Sequence, residues 1–107
     1  MMIGHSMGGL ILRWVANTLT QHLFAFISLG TPHLGYLQGI KFFIKAGFSF
    51  LSSNSTCLSE LSSRDSNDLH ECLIYKFSNA AALSRFKKII LLSSLSDKYV
   101  SWHSARL

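Results

Sequence analysis

Residues 23–30, LFAFISLG, form a short apolar run, broken only by Ser28 and closed by Gly-Thr-Pro. A segment with almost no polar alternation reads as a strand covered on both faces, the usual situation in a parallel sheet flanked by helices. Thr31-Pro32 must leave the sheet, because proline has no N–H to give to a ladder. A second run, KKIILLSS at residues 87–94, enters from two lysines and leaves into Ser-Leu-Ser-Asp; the opening MMI supplies a strand stub. Between stub and first run, Met7, Leu10, Ile11, Trp14, Val15 and Leu19 recur at helical spacing, which predicts one buried helix face with Arg13 and Asn17 opposite.

Further helices are expected over residues 36–51, broken near Gly47, and over 68–79, where Leu69, Cys72, Leu73 and Phe77 stand among charges. Asp65 or Asn67 is placed to cap the second of these, and SSNST at 52–56 reads as a polar loop. The chain should close with the start of another helix. Alternation of strands and helices specifies an α/β fold with a parallel-strand sheet and right-handed crossovers.

Two strands and a stub are too few for a doubly covered sheet. Only 14% of the 107 residues are charged, against 49% hydrophobic, so the chain reads as a fragment, residues 1–107, of a single larger domain truncated at both ends. The net charge of +5 comes from scattered residues, Lys87-Lys88 being the sole adjacent basic pair, which excludes a nucleic-acid footprint. Cys57 and Cys72 lack metal-like spacing and are expected to be unpaired thiols; Asn54-Ser55-Thr56 is a glycosylation sequon that matters only in a secreted chain. MMIGHS shows no leader, and IKFFIKAGFSFL is too short to span a bilayer and carries Lys41 and Lys45. The expectation is a cytoplasmic protein with no transmembrane segment.

Chemistry is concentrated in IGHSMGG, residues 3–9. A hydroxyl attacks well only when a base takes its proton, and the G-x-S-x-G pattern supplies the geometry by lifting the serine off a tight strand-to-helix turn. Gly4 and Gly8 would leave room where a Cβ would strike a neighbour, and Gly9 would let the helix pack closely. The Met7 N–H, in the first helical turn, could donate to an oxyanion. The plain alternative is a glycine-rich turn whose serine merely caps a helix. His5 is no base for Ser6, since adjacent strand residues point to opposite faces; packing or a loop hydrogen bond suits it better. A phosphate-binding loop is excluded by the missing lysine and spacing.

GHSMGG, then FAFISLGTPHLG, then LLSSLSDKYVSWHSARL together resemble the serine esterases, lipase-like proteins of the α/β-hydrolase fold that carry GHSxGG, TPHLG and a late D-x-x-V-x-x-x-S-A segment. The resemblance implies hydrolysis of carboxylic esters or lipid-like small molecules through an acyl-enzyme, with no metal and no cofactor. It makes Ser6 the nucleophile and Asp97 the triad acid, in the order Ser–Asp–His. The histidine would follow the next strand, after Leu107, and the second oxyanion N–H would come from an upstream loop. His103 is a lesser candidate for the base. His33 either lines the site or makes a structural hydrogen bond, the latter favoured; His22 and His70 are surface residues. Phe42, Phe43, Phe48 and Phe50 suit a helix packed on the sheet better than a cover over the nucleophile. A degenerate, non-catalytic hydrolase fold acting through protein contacts is the competing reading.

Overall fold

The computed structural model describes residues 1–35, 56–79 and 81–107. The segment expected to hold the broken helix, the four phenylalanines and most of the polar loop lies outside them. Three strands, β1 (Met2–His5), β2 (Leu23–Leu29) and β3 (Phe86–Leu92), form an all-parallel sheet in the order β1-β2-β3. Helix α1 (Met7–Thr18) joins the first two, and α2 (Thr56–Leu61) and α3 (Leu73–Asn79) precede the third. The chain is therefore of the α/β class. Parallel pairing puts the carboxyl ends of all three strands on one edge, where open sheets of this class gather their functional groups.

The core forms in two clusters on either side of α1. Ala16, Phe26, Ala82 and Phe86 fill the space between helix and sheet, whereas Leu10, Leu61, Ile74 and Phe77 join α1 to α2 and α3. Arg85 ends α1 by donating from Nη1 to the Ala16 and Leu19 carbonyls, a cation placed at the negative end of a helix.

The side of α1 that meets the sheet differs from the expected one. Gly9, Leu10, Arg13 and Ala16 are buried, while Ile11 and Trp14 remain 58% exposed. Close approach decides this. A Cβ on Gly4 would lie 2.6 Å from the Gly9 Cα, and one on Gly9 would lie 2.6 Å from Thr31 Cγ2. Small residues therefore face the strands, and the larger apolar ones line a groove of about 320 Å³ shared with Leu61, Leu73, Ile74 and Phe77. Gly8, expected to relieve crowding, faces open space among the described residues. Gly4→Ala is accordingly expected to cost about 3 kcal/mol, because backbone must move to admit the methyl. Gly8→Ala should instead gain a few tenths of a kcal/mol from helix propensity. Urea unfolding of both variants checks the contrast.

Three other expectations need correction. Among the described residues, the second apolar run is not covered on both faces. Ile3, Ile27 and Ile90 stand in register across the sheet, yet Ile3 is 54% and Ile90 41% exposed, because the helix layer among the described residues packs on the opposite face. The helix expected over 68–79 is divided at Cys72 (ψ 140°) into a single 3₁₀ turn, Leu69–Glu71, and α3. Its thiol, buried and free, lies against the Ser63, Ser66 and Asp68 carbonyls, pulling the chain out of helical register. Asp65, one of the two expected caps, accepts the Leu73 N–H at 2.8 Å and starts α3. Residues 101–107 form turns and not the expected helix.

Candidate active site

Ser6 occupies the single residue between β1 and α1, with φ 52° and ψ −129°. This is a costly conformation for a side chain that branches from an L-residue, and it persists only where the flanking elements enforce it. They do so through backbone: the Ser6 N–H donates to the Leu29 carbonyl at 2.9 Å, and the Ser6 carbonyl accepts from Gly9 N–H at 3.1 Å. The Ser6 side chain makes no capping hydrogen bond to α1. The half-buried hydroxyl therefore stands at the helix start without the duty an ordinary N-cap serine performs. Met7 is the first residue of α1, so its N–H belongs to the turn that has no intrahelical acceptor.

Asp97 lies in the loop after β3, at the same edge of the sheet. Its Oδ1 accepts the Tyr99 N–H at 2.8 Å and the Val100 N–H at 3.1 Å, while its own N–H donates to the Ser94 carbonyl. Oδ2 points over the end of the central strand, 3.1 Å from where a Cβ on Gly30 would stand. Gly30 has φ 52° and donates its N–H to the Leu92 carbonyl, so this turn is locked to the end of β3. Ser6 and Asp97 thus follow the outer strands and flank β2. Two strand spacings put the ends of β1 and β3 about 10 Å apart, and an imidazole with a hydrogen bond at each nitrogen spans about 8 Å.

The TPHLG loop and the late segment are physically one unit. The Leu34 N–H donates to the Ser104 carbonyl at 3.0 Å, and the Ser104 hydroxyl donates to the Gly35 carbonyl. Val100, Ser104 and Ala105 are buried beneath this clasp. The spacing D-x-x-V-x-x-x-S-A is the spacing of an acid, its anchor and its clamp.

None of the five histidines is brought to Ser6. His5 is exposed on β1 and its side chain makes no hydrogen bond among the described residues; His22 and His70 are exposed as expected. His103 stacks on Trp102, ring centroids 3.8 Å apart, and makes no contact with Asp97 among the described residues. His33 is fully enclosed. Its Nε2 lies 2.8 Å from Ser28 Oγ and its Nδ1 3.2 Å from Arg13 Nη1. Arginine can only donate, so Nδ1 is the acceptor and the ring proton sits on Nε2, donated to Ser28. Arg13, 4% exposed, also donates from Nη2 to the Phe77 carbonyl at 2.7 Å and lies over the Phe77 ring. Sequence reasoning sent Arg13 to solvent. The available signal was the small residues Gly9 and Ala16 on its own side of the helix.

Burial, and then the Arg13 charge, lower the His33 pKa from 6.5 to about 4. Between those values the unfolded chain binds a proton that the folded chain refuses, so stability must fall as pH falls through this window. The expected loss is about 3 kcal/mol from pH 7 to pH 4, at about 1.4 kcal/mol per unit inside the window. Urea midpoints measured across this range check it, and the His33→Gln variant should lose this part of the slope.

Over its whole length, residues 1–107, the chain matches the model of the family described as "Putative serine esterase". No solved structure matches it. No helix among the described residues is long and apolar enough to cross a membrane.

Proposed function

The chain belongs to the Putative serine esterase family, and on that premise we propose that it carries the nucleophile and the acid of a serine hydrolase acting on carboxylic esters. The observation that carries this reading is the strained Ser6, whose hydroxyl does not cap the helix it precedes. Strain of this kind is kept where it aims a group, and here it aims an otherwise unemployed hydroxyl at the functional edge of a parallel sheet.

Ser6 Oγ adds to the ester carbonyl carbon as a histidine removes its proton. The developing oxyanion accepts the Met7 N–H. Collapse of the tetrahedral species breaks the bond to the alcohol, which leaves with the proton returned by the imidazolium; water then releases the acyl group by the same steps in reverse. Asp97 orients the imidazole through Oδ2, the oxygen that its own loop leaves open. Since the chain's own five histidines stand elsewhere, the base comes from outside these 107 residues, and the isolated segment is a poor catalyst.

The test uses the complete reading frame that encodes this chain. Treated with a fluorophosphonate and mapped by peptide mass, it should carry the adduct on Ser6. Absence of any adduct, or an adduct on another serine, would overturn the assignment.

A further inference from the structure

We infer that His33, linked to Arg13 on one side and Ser28 on the other, is the positioning residue that sets the aim of Ser6; this rests on the hydrolase reading above. Packing of α1 on the sheet at the elbow is unusually smooth. Gly4 meets Gly9 there without a side chain on either, and the larger residues of the helix–sheet core, Phe26, Phe86 and Leu12 among them, add hydrophobic contact that is not directional. Thr31, buried with its hydroxyl unpartnered, fills the space beside Gly9 but makes no directional bond.

Beyond the backbone bonds of Ser6 and the Arg85 contacts at the far end of α1, directional side-chain contacts here come from one chain of buried groups. Ser28 is the register partner of Gly4 and precedes Leu29, whose carbonyl holds the Ser6 N–H. Arg13 projects from α1, two helical turns after Ser6. His33 bonds to both, and Arg13 continues to the Phe77 carbonyl in α3. The imidazole therefore ties α1 to β2 at the level where β2 pairs with the end of β1, and the angle between that helix and the sheet determines where Ser6 Oγ points. Buried hydrogen bonds act over a narrow range of angle and distance, which is the property a smooth glycine contact lacks. Displacing a nucleophile by about 1 Å can cost about 100-fold in rate.

A glutamine can reproduce this pattern, because its amide offers an acceptor and a donor at nearly the spacing of the two ring nitrogens. In the complete reading frame, the rate of Ser6 phosphonylation is resolved into the limiting rate and the reagent's half-saturation concentration, with the melting temperature recorded alongside. His33→Leu is expected to lower the limiting rate about 100-fold with half-saturation unchanged. His33→Gln should recover at least about tenfold of that loss. A merely structural histidine would leave the limiting rate of the folded variants unchanged, so folded His33→Leu reacting within threefold of the parent overturns the inference, as does His33→Gln reacting no faster than His33→Leu. If His33→Leu does not fold, Ser28→Ala decides: a fall of about fivefold or more in the limiting rate supports the inference, and any smaller change overturns it. A parent protein that never labels at Ser6 sinks the hydrolase reading itself, an outcome separate from variants that label as fast as a reactive parent.

Discussion

In the complete reading frame, replacing Ser6 by glycine should abolish ester hydrolysis and raise the melting temperature in the same variant. Loss of the proposed nucleophile is expected to lower kcat by roughly 10⁶-fold. The stabilising part follows from φ 52° and ψ −129°, a conformation that glycine adopts without strain. Relief of about 2 kcal/mol of backbone strain outweighs the greater freedom glycine brings to the unfolded chain, leaving a net gain of about 1 kcal/mol. Ser6→Ala separates the two effects: activity falls equally, but the Cβ and its strain remain, so the melting temperature stays near that of the parent. Differential scanning calorimetry of the pair checks it. A glycine variant less stable than the alanine variant would show that the elbow stores no strain at Ser6.

Asp97 gives the second large effect, and here the two oxygens have separate duties. Asp97→Asn keeps an acceptor for the Tyr99 and Val100 N–H groups, so the loop should hold. Its second atom becomes an NH₂ and can no longer accept from an imidazole, which favours the wrong tautomer and should lower kcat by roughly 10⁴-fold. Asp97→Ala should lose a similar factor and, in addition, about 1–2 kcal/mol of stability from the two orphaned N–H groups. Steady-state kinetics with a short-chain aryl ester, paired with urea unfolding, distinguishes them. Asn and Ala variants of equal stability would mean that the Asp97 turn contributes nothing to the loop.

What could be read in advance was what a chain encodes locally. Apolar runs located β2 and β3, a glycine-flanked serine located the elbow, and Asp65 was legible as a cap because its backbone partner, Leu73 at the start of α3, lies only eight residues on. The orientation of α1 was not legible. Its apolar residues lie on more than one side, and the side chosen depends on Gly4 and Thr31, which approach from elements distant in the chain. For the same reason the partners of Arg13 were not legible: His33 and Phe77 lie 20 and 64 residues away, and only the small Gly9 and Ala16 on its own side of the helix hinted at its burial. The break at Cys72 was hidden too, since a thiol drawn to the carbonyls of a preceding loop has no periodic signature.

Ser104 reaches back to both Leu34 and Gly35, so two stretches separated by some seventy residues behave as a single mechanical part. Anyone transplanting the carboxylate loop into another scaffold would have to carry the Thr-Pro-His-Leu-Gly turn with it. Moved alone, the loop would arrive without its footing, and the carboxylate would wander from the end of the middle strand.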